Sequence, residues 1–359
     1  VGIPFENSQP LPTLPTTDDI YACTNILWET SSSKIVAMND EIVVKYGRSI
    51  NTWEGQALVY LERHVPEVPA PRLYAMYYDS NKLFLIMQRV PGVQLNSIWS
   101  SLADSEKDDI IAKLQLIFDA MRKAECPWPD FFGGLDGGGL PHYLFYSQHG
   151  DEKFLGPFSD EPTLVAAIVG NYRALVDRNN HPDYKARFYE KYLAHVIQGH
   201  RPTLTHGDVQ QKNIMVVENT SRPHDQDGRS FDVVLIDWEN SGWFPDFWEY
   251  FCASYPLTFE WDEDWSWRVQ ESVQVWPAEM AMMQLIDKDL GYFYKLNRCI
   301  SLTTKENNNN NNKAIDQLTD QLTNYPNSKS IYKIFTTLKP MLQIELCRIP
   351  SLRNFGIAS

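Results

Sequence analysis

Asp208, Asn213 and Asp237 are the residues of this 359-residue chain whose types and spacing could do chemistry together. Asp208 sits in LTHGDVQQKNIMVV, Asn213 lies five residues further on, and Asp237 closes a second apolar run in VVLIDWEN. A carboxylate beside a turn can orient a hydroxyl and take its proton, while an amide oxygen and a second carboxylate form a hard donor set suited to magnesium. Phosphoryl transfer needs those parts, because its loose transition state asks for positioning and charge neutralisation rather than covalent chemistry. A lone aspartate at a strand end is ordinarily a cap or a solvated group. The combination is what points to catalysis.

For the three to meet, NIMVV and FDVVLID must pair. They flank the polar stretch ENTSRPHDQDGRS and read as a hairpin with a long tip, which would bring Asn213 and Asp237 together across twenty-four positions. Upstream, ILWET, KIVAMND and EIVVKYG read as an antiparallel meander, and LYAMYY with KLFLIMQRV as a further hairpin around the turn DSN. Between them Trp53, Ala57, Leu58, Leu61 and Val65 recur at helical spacing, predicting a helix over 51–64. Glu54 lies on the same face as Ala57, Leu58 and Leu61, so its carboxylate points inward and requires a cation. After Pro91-Gly92 the chain turns mainly helical, with helices predicted over 104–124, 161–177 and 184–199 and through 246–296. FFGGLDGGGL holds five glycines in ten residues. A helix and a Pro-rich turn precede it and no strand feeds it, so it is not the strand-to-helix loop that cradles phosphate. It reads as a loop that follows a helix, with Asp136 a candidate contact to a substrate.

The net charge of −14 and pI near 5.0 argue against binding nucleic acid through phosphate contacts. Five dispersed cysteines without a CxxC pair indicate neither a disulfide framework nor a zinc site. No apolar run approaches eighteen residues, and VGIPFENSQPLPTLPTTDD lacks the pattern of a signal peptide. The expectation is a soluble cytoplasmic protein that contacts no membrane. Residues 1–19 read as an irregular arm, Asn307–Asn312 as a low-complexity linker, and 313–359 as a basic appendage.

HGD-x4-N and IDWE, preceded by VVKYG, EGQALVYLERHVPEVPAPRLY and LIMQRVPGVQL and followed by GWFPDFWEY, resemble the aminoglycoside phosphotransferase and choline kinase-like family over roughly residues 20–295. The Trp-Glu version of the last motif resembles its fungal members. The resemblance implies an α+β, protein-kinase-like two-lobed fold. A small N-lobe (20–91), an antiparallel sheet with one helix, would bind nucleotide. A larger, mainly helical C-lobe (92–298) would carry catalysis and the acceptor, with the linker and appendage over 299–359. The implied activity is ATP- and magnesium-dependent transfer of the γ-phosphoryl group to a hydroxyl of a small molecule, with GTP an alternative nucleotide. The acceptor would be aminoglycoside-, choline- or metabolite-like.

By the same resemblance Asp208 is the catalytic base, Asn213 and Asp237 hold magnesium, and Lys45 contacts the α/β-phosphates with Glu54 as its ion-pair partner. Ser31, Ser32 and Ser33, in the glycine-free turn ETSSSK, offer phosphate contacts. The stretch Met87, Gln88 and Val90 reads adenine through backbone groups, with Gln88 where the family often has Glu. His206 is read as a structural hydrogen-bonding group, and Glu239 as orienting water or substrate. Residues 246–290 carry ten acids and two bases. Asp246, Glu249 and the cluster WDEDWSW would hold a cationic acceptor by charge and cation–π contact, a solvated acidic face being the alternative. Trp243, Trp248, Trp261, Trp265, Trp267 and Trp276 are read first as packing. The rival function is a nucleotide-binding pseudokinase serving as an interaction module. A protein kinase is disfavoured, since the chain has no Gly-rich loop and no DFG or APE segment. The sequence does not set an oligomeric state.

Overall fold

The short β-branched runs between residues 26 and 88 close into one antiparallel sheet: β1 (Ile26–Glu29), β2 (Ser33–Ala37), β3 (Ile42–Gly47), β4 (Leu73–Asp79) and β5 (Lys82–Gln88), in the order β1-β2-β3-β5-β4. A computed structural model of the chain describes residues 11–140, 142–145, 154–219, 229–254 and 264–305, the last from residue 292 as backbone alone. The chain divides into units 1–290 and 291–359, and all site residues belong to the first. β3 sits at the centre of the sheet and pairs Lys45 with Ile35 on one side and Leu85 on the other.

One face of this sheet holds Val36, Val44, Tyr46, Phe84 and Ile86, closed by Ile20 of α1 (Thr17–Ala22). α1 starts inside the stretch expected to be an irregular arm, because Thr16 and Asp19 form a reciprocal capping box. Phe84 is fully buried and stacks between Tyr46 and Tyr77, with ring centroids 5.0 Å away on both sides. Against the other face lies α2 (Trp53–His64), which buries Ala57, Leu58 and Leu61 as the helical spacing requires. Gly55 lets it come close: a Cβ there would stand 2.6 Å from Met76 Sδ. That approach sinks the neighbouring Glu54 between helix and sheet.

The C-lobe is built on α3 (Asp104–Lys123), whose apolar face of Ile110, Leu114, Ile117, Phe118 and Met121 is buried. α4 (Glu161–Arg178) and α5 (Tyr184–Val196) pack as a pair. β6 (Val93–Gln94), β8 (Ile214–Glu218) and β9 (Phe231–Leu235) form a small sheet, with Ile214 opposite Leu235 and Glu218 opposite Phe231. This is the hairpin expected around the polar tip, whose residues 220–228 lie outside those described. The helical stretch expected over 246–296 resolves into α6 (Trp248–Ala253), α7 (Trp265–Arg268) and α8 (Pro277–Lys305). α8 runs as helix through the start of the expected linker; the asparagine run and the appendage lie outside the described residues. Among the described residues no helix is long and apolar enough to cross a membrane.

Two further strands escaped the sequence reading. β7 (Pro202–Thr205), just before the loop with Asp208, and β10 (Gly242–Pro245), just after the turn with Asp237 and Glu239, pair antiparallel. The glycine-rich loop is tied to them, since Gly133 and Trp243 exchange both backbone hydrogen bonds. The lobes join through Gly92, which has φ +90°, and through the Leu235 amide, which donates to Pro69 O at 3.1 Å. Trp243 and Trp248 are fully buried, in keeping with packing, whereas Trp267 is exposed and Trp261 lies outside the described residues.

Phe84→Ala should cost about 3–5 kcal/mol, the range for a large aromatic removed from a core that cannot collapse around it. Urea unfolding measures it; a loss below about 1 kcal/mol would show that the ring stack does not hold the N-lobe sheet together.

Candidate active site

Lys45 crosses from the central strand of the N-lobe sheet into a cage of carboxylates. Its Nζ lies 2.8 Å from Glu54 Oε2, 2.7 Å from Asp237 Oδ1 and 2.9 Å from Glu239 Oε2. Glu54 comes from α2, and Asp237 and Glu239 from the turn after β9, which packs against α2. Burial opposes charge on Lys45, but the three carboxylates, Glu54 foremost, more than offset it and hold the ammonium protonated. Burial likewise pushes the Glu54 carboxyl above its ordinary range, with Lys45 opposing. Asp237 sits in the left-handed region (φ 64°, ψ 60°), a conformation that Asp tolerates better than most residues and that turns its carboxylate from the strand toward Lys45.

Facing this cage is the loop that carries Asp208. Its Oδ1 accepts Gln210 Nε2 at 2.6 Å and its Oδ2 accepts Asn213 Nδ2 at 2.9 Å. Asn213 Nδ2 also reaches Asp208 O, and the Asn213 carbonyl accepts the Ile236 amide, so the hairpin brings Asn213 beside Asp237 as its pairing requires. Burial raises the Asp208 pKa; Lys212 lowers it and Asp237 raises it further.

The loop is suspended from beneath. His206 is fully buried; its Nε2–H donates to Ile236 O at 3.0 Å, and its Nδ1 accepts the Asp208 amide at 3.2 Å. Burial lowers its pKa to about 4, so it is a neutral brace. Gly207 has φ +80°, and a Cβ there would meet Asn240 O at 2.4 Å. Below both, the Glu249 carboxylate accepts the His206 amide at 2.6 Å. Burial pushes its pKa up to about 7, against the pull of the His206 and Gly207 amides.

Several residues named from the sequence therefore stand elsewhere than expected. Glu249, expected at the acceptor, is buried behind the loop that carries Asp208. Asp246 is bound to His200 Nδ1 at 2.8 Å, in a cluster with Glu161 and Glu279. Asp136 spends Oδ1 on the Gly138 amide within its own loop. Of the other acids in 246–290, Asp264 pairs with Lys107 and Arg268, Asp287 with Tyr143, and Asp289 with Lys185. These acids are engaged inside the lobe, by cations or by neutral hydrogen-bond donors; Glu260, Asp262 and Glu263 lie outside the described residues. Glu239 is at the site, but on Lys45. Ser33 is buried and bonded to Thr30 and Ser49, Ser32 is bonded to Ser49, and Ser31 is exposed at the tip. Met87 is buried in β5; Gln88 binds Arg72 through its own amide and side-chain oxygen; Val90 lies just past the strand, half-buried.

The donor set fits a divalent cation. Glu54, Asp237 and Glu239 each present a carboxylate oxygen within 4.8 Å of the others, around one ammonium, and Asn213 retains its amide oxygen after committing Nδ2 to Asp208.

The family model described as the phosphotransferase enzyme family matches residues 51–278, more than half of the chain. No curated protein matches in sequence. Among solved structures, the streptomycin-ATP-APH(2")-IIa ternary complex aligns with TM-score 0.50 and 15% identity over 86% of this chain and 97% of that one. ADP-bound aminoglycoside phosphotransferase APH(2'')-Ib aligns with TM-score 0.50 and 15% identity over 82% and 90%. At that identity the likeness establishes the shared kinase-like fold.

Glu249 offers a pH test. Its folded pKa of about 7 lies above the ordinary 4.5, so the folded state binds more protons in between, and stability falls as pH rises through that window. Glu249→Gln, which does not titrate, should flatten the Tm profile from pH 4.5 to 7 and gain on the parent above it. Glu249→Ala should cost about 1–3 kcal/mol throughout by stripping buried amides of their acceptor. Parallel profiles for the parent and Glu249→Gln would contradict this role.

Proposed function

The chain belongs to the phosphotransferase enzyme family, and on that premise we propose that it transfers the γ-phosphoryl group of a magnesium-bound nucleotide, ATP first, to a hydroxyl of a small molecule. The observation that carries this reading is the double anchoring of Asp208 by Gln210 and Asn213, opposite a Lys45 held among carboxylates. Positioning of this kind is what the reaction demands.

In this reading the nucleotide lies between the lobes. Backbone groups at Gln88 and Val90 take the base, and Lys45 turns from Asp237 and Glu239 to the α/β-phosphates while keeping Glu54. Asp237 and Asn213, with Glu239 beside them, would hold magnesium, which supplies charge neutralisation at the β/γ-phosphates. Asp208 orients the acceptor hydroxyl and accepts its proton as the new O–P bond forms and the bridging bond to the nucleoside diphosphate breaks. The raised pKa of Asp208 suits a base that must take a proton in the transition state. The acceptor is a hydroxylated small molecule, with aminated sugars the first class to screen; streptomycin is named in one structure of similar fold. Its charge is not dictated by Asp246 or Glu249, which are engaged inside the lobe.

Asp208→Asn should lower kcat by about 10²–10⁴ while leaving nucleotide affinity within about threefold, because it removes a proton acceptor and little of the nucleotide's contact surface. ADP release across hydroxylated amines and sugars, with calorimetric nucleotide binding, measures both. Undiminished turnover in the variant would sink the assignment of Asp208. A nucleotide-induced Tm rise that does not depend on magnesium would instead favour the pseudokinase reading.

A further inference from the structure

We propose that Lys212 is a second catalytic cation, contacting the transferring phosphoryl group from the side on which the acceptor attacks. The proposal rests on the phosphotransferase reading above and adds a residue to it.

The Lys212 ammonium lies 3.8 Å from Asp208 Oδ2. That is too long for the hydrogen bonds that fix this carboxylate, and both oxygens are already held by Gln210 and Asn213 at 2.6 and 2.9 Å. Lys212 is therefore not needed to orient Asp208. An i,i+4 pair this exposed contributes little to stability, so folding gives little reason for it either.

Its backbone, by contrast, is fixed. Lys212 is the middle residue of a 3-10 turn, Gln211–Asn213, and its carbonyl accepts Gln94 Nε2 of β6 at 2.8 Å. The Asn213 amide closes the turn on Gln210 O at 2.8 Å. A rigid backbone thus presents a side chain that is 51% exposed and leans toward the catalytic carboxylate.

Geometry then sets what the ammonium can reach. A hydroxyl orienting on Asp208 sits about 2.6–3.2 Å from it, and the phosphorus it attacks about 3–3.5 Å beyond. A flexible four-carbon stem whose tip is already 3.8 Å from the same carboxylate can meet the equatorial oxygens of that phosphorus. Lys45 approaches from the opposite lobe, held on the Asp237 side. Two cations would then bracket the charge that spreads over the phosphoryl oxygens, while Asp208 takes the acceptor proton and Lys212 keeps all of its own.

The test needs no knowledge of the acceptor. Calorimetry compares the affinity of the parent, Lys212→Met and Lys212→Arg for MgADP and for MgADP with aluminium fluoride, which mimics the transferring phosphoryl group. Lys212→Met should weaken the aluminium fluoride complex about 10²-fold and leave MgADP within about threefold, with Lys212→Arg restoring most of the loss. Equal affinity of parent and Lys212→Met for the aluminium fluoride complex, or an equal loss for both ligands, overturns the proposal. If the parent itself binds the aluminium fluoride complex no tighter than MgADP, the phosphotransferase reading falls and this proposal with it.

Discussion

One buried ammonium among three carboxylates is the constraint on which the rest of the molecule depends. Lys45 enters from the central strand of one lobe, Glu54 from the helix packed on that strand, and Asp237 and Glu239 from a turn of the other lobe. Removing one partner of such a buried pair leaves an uncompensated charge, at a cost of about 3–5 kcal/mol. The sheet register and the close seat of α2 follow from the same need. A slip of one residue in β3 would carry Lys45 to the opposite face, where Tyr46 and Val44 pack against Phe84 and Ile86. The cage offers three carboxylates to one ammonium, which suits it to exchange Asp237 and Glu239 from the lysine to a metal without dismantling the Lys45–Glu54 pair.

The opposite wall of the cleft is rigid for a different reason. Two backbone amides at Asp208 find buried acceptors: the Asp208 amide on His206, and the His206 amide on Glu249. Gly207 allows the turn to pass against Asn240, and the His206 ring ties the loop to the strand end that presents Asp237. The geometry around Asp208 is thus fixed by burial and hydrogen bonding, and under the proposed function that is where positioning contributes most to rate.

What could be read from the residues depended on whether neighbours in sequence are neighbours in space. The hairpin that unites Asn213 and Asp237 is announced by two apolar runs around a polar tip, and the inward Glu54 by helical spacing. Glu249 was misplaced because an acid-rich stretch records charge and not direction: the first turn of α6 buries it under a loop more than forty positions earlier in the chain. β10 was hidden because GWFP is short and its partner, β7, lies some forty residues back. Lys212 carries no pattern of its own; only the 3-10 turn shows that it leans on Asp208.

The central claim, that the Lys45 cage opens to take a metal–nucleotide complex, is tested most directly by crystals grown with manganese and a non-hydrolysable ATP analogue. The account predicts an anomalous manganese peak bound to Asp237 and Asn213, with Lys45 Nζ moved onto the α/β-phosphates and still paired with Glu54. A manganese peak away from Asp237, or Lys45 unmoved among all three carboxylates with nucleotide bound, would contradict it.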